Sequence, residues 1–155
     1  MSKKRFKAFR ANLVRVYKSF LMNFYKVLEH PSDLKLKILG KNLKELFSNL
    51  VRAIAREQLG NLVSKEEGDW EDVEIESPNL FSLLVDFASE IIYRSDANQK
   101  VYVKCEVKEV SRTKIKARIL GLVADRKIDI KAATYHESYV KKVGDGWEAV
   151  LLFDV

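Results

Sequence analysis

Two aspartates and the end of the chain carry the clearest chemical signal in this sequence. Asp33 follows the Pro31-Ser32 corner at the start of an alternating strand, and Asp154 is the penultimate residue, after an apolar strand. The α-carboxylate of Val155 therefore stands next to a side-chain carboxylate. If the last strand ends beside the first corner, three carboxyl groups converge, and they repel one another unless a cation binds them. We call Asp33, Asp154 and the Val155 carboxylate the carboxylate corner.

An all-oxygen ligand set of this kind suits a hard ion such as Ca²⁺, Mg²⁺ or Mn²⁺. The alternative is structural, because an aspartate at the end of a strand is most often a turn or cap residue. From the residue pattern alone both interpretations of the carboxylate corner stay open.

The other residues that could do chemistry are few. His30 and His136 each lie in a short polar break beside apolar strands, where a histidine either supports a nearby site or closes a turn. Cys105 lies on the alternating face of a strand, and no serine has the context of a nucleophile elbow. The six glycines form neither a phosphate-binding loop nor a dinucleotide fingerprint. The sequence therefore predicts no catalytic residue.

Hydrophobic periodicity predicts the elements that position these groups. Alternation predicts a strand, a corner and a second strand up to Gly40, then a short strand in the acidic stretch from Glu66 to Glu76. Two pairs of strands follow later, the last pair joined at Gly144-Asp145-Gly146. Helical spacing predicts one helix capped by Asn42 and a second helix opened by Pro78-Asn79. In the second helix Asp86 stands in an apolar run, and we expect it to be a structural hydrogen-bonding group. The fold class is α+β, with about seven strands in antiparallel or mixed β-sheet layers and two main helices.

Charge is distributed unevenly along the chain. The 155 residues contain 28 Lys and Arg against 22 Asp and Glu, a net charge of +6, yet eight basic residues and no acidic one lie in residues 1–28. The rest of the chain has 20 basic and 22 acidic residues, so its surface is not generally basic.

We divide the chain into a basic extension, residues 1–21, and a domain, residues 22–155. Apolar residues at helical spacing predict an amphipathic helix in the extension. It binds RNA, an anionic surface or a partner groove, or it docks on its own domain. The residues that would make the contacts of a nucleic-acid or partner arm are Lys3, Lys4, Arg5, Lys7 and Arg10.

Several protein classes are excluded by composition. A single cysteine rules out a disulfide framework and a Cys-rich zinc site. No apolar run approaches the roughly 18 residues of a membrane span, and no secretory signal follows the basic start. A protein with no membrane contact and a cytoplasmic location is expected.

Five segments, taken in order, resemble the archease family. The family patterns are Y-x-x-L-E-H-T-A-D-V, G-x-x-L-E-E-x-F, D-L-E-S-L-L-V-D-W-L-x-E-L-L-Y, K-A-V-T-Y-H and a closing W-x-A-x-x-x-F-D-V. The matching segments are Tyr25–Leu34, Gly40–Phe47, Asn79–Tyr93, Lys131–His136 and Trp147–Val155. The sequence departs from the patterns at Pro31-Ser32, which replaces Thr-Ala, and at Asn79, which replaces an acidic residue; residues 1–21 have no counterpart.

The resemblance implies a function. Archeases are accessory proteins of the RtcB-type RNA ligase, which joins tRNA halves with GTP and a divalent metal, so tRNA would be reached indirectly through the ligase. The family member promotes guanylylation and multiple turnover of the ligase and is not expected to be an enzyme itself. The family's metal ligands correspond to Asp33, Asp154 and Val155, with Ca²⁺ the expected ion and Mg²⁺ or Mn²⁺ the alternatives. Beside these ligands, His30 is a candidate supporting residue, and His136 either supports the site or closes a turn.

Two other functions are compatible with the same residues. The carboxylate corner could serve a metal-dependent phosphoesterase, in which the ion activates a water molecule. The basic extension could instead make the protein an RNA-binding module, whose affinity would fall steeply with salt.

Overall fold

The computed structural model describes residues 2–4, 24–60 and 67–155, which form seven strands and two long helices. The elements in chain order are β1 (Tyr25–Leu28), β2 (Leu34–Gly40), α1 (Leu43–Leu59), β3 (Asp69–Glu76), α2 (Leu80–Asn98), β4 (Lys100–Val110), β5 (Lys114–Val123), β6 (Ala132–Val143) and β7 (Gly146–Asp154). The predicted α+β class, strand number and two main helices are confirmed. The amphipathic helix predicted in residues 1–21 lies outside the described residues, apart from residues 2–4.

The strands form two antiparallel sheets, and the helices lie between them. The first sheet has the order β1-β2-β7-β6 and the second the order β3-β5-β4. Helix α1 packs against β4 of the second sheet and β2 of the first, while α2 packs against β6 and β4. Each helix therefore buries apolar side chains on two sides, and both sheets share one hydrophobic core.

Side-chain caps start both helices where the sequence predicts them. The Asn42 side chain accepts a hydrogen bond from the Glu45 N–H (2.9 Å), and Asn79 accepts one from the Ser82 N–H (2.8 Å). Gly60 caps the C-terminus of helix α1, and its φ of 74° is the left-handed conformation that glycine adopts without a steric penalty. In the described part of the chain, no helix is both long and apolar enough to cross a bilayer.

The core sets the register of the first sheet. Leu34, Leu36 and Ile38 of β2 point inward, and Leu151 and Phe153 of β7 do the same. A slip of one residue would turn all of these side chains toward solvent, so burial specifies the pairing strongly. The register of β2 against β7 in turn decides which residues meet at the ends of these strands.

A nearly buried carboxylate lies on the outer face of this sheet. Glu148 is 7% exposed. Its carboxylate oxygens lie 3.1 Å from Lys37 Nζ and 3.6 Å from Lys141 Nζ, and one of them accepts a hydrogen bond from Tyr139 Oη (2.9 Å). Burial acts to raise the pKa of Glu148, but the hydrogen bonds and the two ammonium charges outweigh it, and the net pKa is lowered.

This lowered pKa predicts a pH dependence of stability. The ionised Glu148 stabilises the fold above the carboxyl's unfolded pKa of about 4.3, and this contribution is lost as the pH falls through the lower folded pKa. Between pH 6 and pH 3 the melting temperature of the wild type should therefore fall more than that of Glu148→Gln. Thermal melts followed by circular dichroism test this, with Glu76→Gln, whose side chain is 75% exposed, as the control. Parallel curves for wild type and Glu148→Gln would contradict the prediction.

Candidate functional site

The pairing of β2 with β7 brings Asp33 and Asp154 to the same end of the first sheet. Leu34 is paired with Phe153 in the antiparallel register. Asp33 precedes Leu34 and Asp154 follows Phe153, so the two aspartates occupy the next opposed positions. Val155 comes directly after Asp154 in the chain and is 42% exposed. The structure thus brings together the residues of the carboxylate corner at one sheet end.

Strand β6 closes the other side of the carboxylate corner. Ala132 is paired with Asp154, and the Lys131 N–H donates to the Asp154 carbonyl oxygen (2.8 Å). The backbone of β7 is therefore held by β2 up to Phe153 and by β6 up to Asp154. The Asp154 side chain is exposed at this end.

His30 lies beside Asp33 because both belong to the corner between β1 and β2. His30 Nδ1 is 3.5 Å from Asp33 Oδ2 and 3.1 Å from the Pro31 carbonyl oxygen. His30 Nε2 is 2.6 Å from Glu137 Oε2, a hydrogen bond in which the ring N–H donates to the carboxylate. The ring thus has oxygen partners at both nitrogens, and its side chain is only 20% exposed.

Glu137 is a site residue that the sequence pattern did not single out. It lies in residues 135–138 of β6, where the register with β7 is broken between Thr134 and Tyr139. The hydrogen bond from His30 lowers the pKa of Glu137, and the nearby charge of Lys35, whose Nζ is 4.0 Å away, acts in the same direction. No local sequence signal marks this residue, because a glutamate in a polar break is ordinary until the bulge turns it toward another strand.

His136 lies in the same bulge but makes a different contact. Its carbonyl oxygen lies 3.1 Å from Ser138 Oγ, a hydrogen bond within the bulge, and the residue is exposed. This contact involves only the backbone of His136, so the role of its side chain stays a prediction.

Asp86 has the hydrogen-bonding environment expected of a structural residue. It accepts hydrogen bonds from Ser77 Oγ (2.6 Å) and Tyr135 Oη (3.1 Å), and the Tyr135 ring packs edge-on against Phe81 at 5.5 Å. These contacts join the start of α2 to the end of β3 and to β6. Asp86 thus anchors the strand that carries the bulge.

The donors of the carboxylate corner fit a hard divalent cation by their chemistry. In the described part of the chain, no three side chains of His, Cys, Asp or Glu form a group that could hold a metal ion. Within the same residues, neither Asp33 nor Asp154 is paired with a lysine or arginine. Carboxylates without a lysine or arginine partner are the kind of anionic oxygen donor that Ca²⁺ or Mg²⁺ prefers.

The basic residues assigned to a nucleic-acid or partner arm are only partly covered by the structure. Lys3 and Lys4 are exposed. Arg5, Lys7 and Arg10 lie outside the described residues.

Comparison with known proteins places these features in a family context. The sequence pattern of the Archease protein family (MTH1598/TM1083) matches residues 25–155. The chain is 30% identical over 141 residues to Protein archease of Methanosarcina mazei, covering 84% of this chain and 95% of that protein.

Two solved structures share the fold. The solution structure of protein 1598 of Methanobacterium thermoautotrophicum has a TM-score of 0.71 and 18% identity, covering 85% of this chain and 99% of that one. A crystal structure from Thermotoga maritima, described as an archease and possible chaperone, has a TM-score of 0.61 and 20% identity, covering 84% and 96%.

Proposed function

We propose that this chain, which belongs to the archease family, is an accessory protein of an RtcB-type RNA ligase in tRNA splicing and RNA repair. In this proposal it promotes guanylylation of the ligase and lets each ligase molecule complete many rounds of joining. It performs no ligation itself, and it reaches tRNA through the ligase.

The observation that supports the proposal is the β2–β7 register: Leu34 is paired with Phe153, so Asp33 and Asp154 flank the same end of the sheet and Val155 follows Asp154. A divalent ion held by these three groups, Ca²⁺ in the first place and Mg²⁺ or Mn²⁺ as alternatives, would supply positive charge at the end of the sheet. Asp33 and Val155 are partly exposed, so they can reach a partner's surface.

The chain's own residues would act by alignment. Guanylyl transfer depends on holding phosphate groups in line and compensating their charge. In the proposed complex the carboxylate corner docks at the ligase active site, and His30 and Asp33 orient the metal or the GTP phosphates there. Both lie on the short corner between two paired strands, which holds them more rigidly than a long loop would.

A ligation assay with limiting ligase tests this role. The substrates are an RNA with a 3′-phosphate or 2′,3′-cyclic phosphate and an RNA with a 5′-hydroxyl, with GTP and Mn²⁺. We expect the ligase alone to form about one product per enzyme and the wild-type chain to raise this to many, because guanylylation is renewed after each round.

A reaction without ligase is the control. If the ligase still forms only about one product per enzyme in the presence of the wild-type chain, the accessory role is wrong. Phosphate release without ligase, lost in Asp33→Asn, would instead favour the metal-dependent phosphoesterase.

A further inference from the structure

We propose that Glu137 is a positioning residue of the carboxylate corner: it holds the His30 ring, and through that ring it sets the position of Asp33. The inference rests on the proposed function of the corner and adds a residue from a third strand, β6, to a site otherwise built by the β1–β2 corner and the end of β7.

The contacts of His30 form a chain across the site. The 2.6 Å hydrogen bond to Glu137 holds Nε2, while Nδ1 faces Asp33 Oδ2 at 3.5 Å and the Pro31 carbonyl oxygen at 3.1 Å. The hydrogen bond at Nε2 restrains the ring, which cannot rotate about its Cβ–Cγ bond without breaking it. Removal of the Glu137 carboxylate would free one end of the ring.

Residues near both ends of the His30–Glu137 hydrogen bond have an unfavourable backbone conformation. Within the described residues, the only non-glycine residues with positive φ are Ser32 (69°), Gln99 (53°) and Glu137 (51°). Gln99 is the C-cap of α2, where the left-handed conformation is usual. Ser32 lies in the β1–β2 corner and Glu137 in the β6 bulge, the two segments that the His30–Glu137 hydrogen bond joins. A left-handed conformation costs energy for residues with a Cβ, and such outliers cluster at functional sites.

The bulge in β6 takes Glu137 out of the regular pairing between β6 and β7. The Leu152 N–H of β7 donates to Ser138 Oγ (3.1 Å), and Ser138 Oγ lies 3.1 Å from the Thr134 carbonyl oxygen. The serine side chain thus links β6 to β7 across the bulge. Glu137 is free to turn toward His30, with Lys35 Nζ 4.0 Å from its carboxylate.

In other proteins, a carboxylate that hydrogen-bonds to a histidine of a metal site affects how tightly the metal is bound. Residues of this second layer orient the groups that touch the ion, and their removal typically lowers metal affinity about 10- to 100-fold. In this chain His30 faces the proposed ligand Asp33, and Glu137 holds His30, one contact further from the ion. We therefore expect it to affect the carboxylate corner without contacting a bound ion.

Glu137→Gly separates this role from a merely structural one. Glycine removes the carboxylate but relieves the positive φ, so the variant should fold with an unchanged or higher melting temperature. The expected results are an altered ¹⁵N signal of His30 Nε2 in the ion-free protein and a fall of about 10-fold in Ca²⁺ affinity by titration calorimetry. Glu137→Gln, which keeps an acceptor oxygen, should restore part of both, and Glu76→Gln on the second sheet should change neither.

Two results would overturn the inference: a His30 signal in Glu137→Gly identical to that of the wild type, or a changed signal with unchanged Ca²⁺ affinity. If the wild type itself binds no Ca²⁺ and does not stimulate the ligase, the proposed function fails instead. In that case the His30 signal of the ion-free variant alone decides whether Glu137 positions the ring.

Discussion

Replacing Asp33 or Asp154 with asparagine is expected to lower the Ca²⁺ affinity of the carboxylate corner by about 100-fold and to return the ligase to one round of joining. Asparagine has nearly the shape of aspartate and keeps one oxygen, but it loses the negative charge that attracts a divalent ion. A change of about 100-fold corresponds to about 2.7 kcal/mol of binding free energy. Because both side chains are partly or fully exposed, the fold should be retained.

Asp145→Asn provides the matched control for these variants. Asp145 is exposed and lies in the turn between β6 and β7, at the opposite end of these two strands from Asp154. Its substitution therefore makes the same chemical change far from the carboxylate corner. Its Ca²⁺ affinity and ligase stimulation should equal those of the wild type. Calorimetry and the ligation assay measure both effects. The metal role of the corner would be wrong if Asp33→Asn and Asp154→Asn stimulated the ligase normally, or if Asp145→Asn failed to the same extent.

Phe47→Ala is expected to destabilise the fold by about 3–5 kcal/mol. Phe47 of α1 is fully buried, and its ring packs edge-on against Phe87 of α2 at 5.3 Å. Because α1 lies between the two sheets, the cavity left by the ring would be enclosed by packed elements that can relax only partly. Domains of this size are stable by about 5–15 kcal/mol, so one substitution would remove a large fraction of the stability.

Urea unfolding followed by circular dichroism measures this change. Val123→Ala is the control, since Val123 is 85% exposed at the end of β5 and should change the free energy of unfolding by less than about 0.5 kcal/mol. Equal midpoints for Phe47→Ala and Val123→Ala would contradict a core shared by the two helices.

The sequence by itself determined the elements and the nature of the candidate ligands. The alternation of Leu34, Leu36 and Ile38 predicts β2, and the asparagines at 42 and 79 predict the helix starts, because strand periodicity and capping are properties of a few neighbouring residues. The same local information marks Asp33 and Asp154 as carboxylates at strand ends. That they meet was left open by the residue pattern and was expected from the family resemblance of the segments around them.

Only the tertiary structure decided how the elements are arranged around the carboxylate corner. That β7 pairs with β2, more than 100 residues earlier in the chain, and that both helices lie between two sheets, depends on which apolar faces bury one another. Glu137 is the clearest case: it is 107 residues from His30, and no local pattern distinguishes it from other surface glutamates. Its role depends on a bulge in β6, and a bulge forms only once the neighbouring strand imposes the register that the extra residues must interrupt.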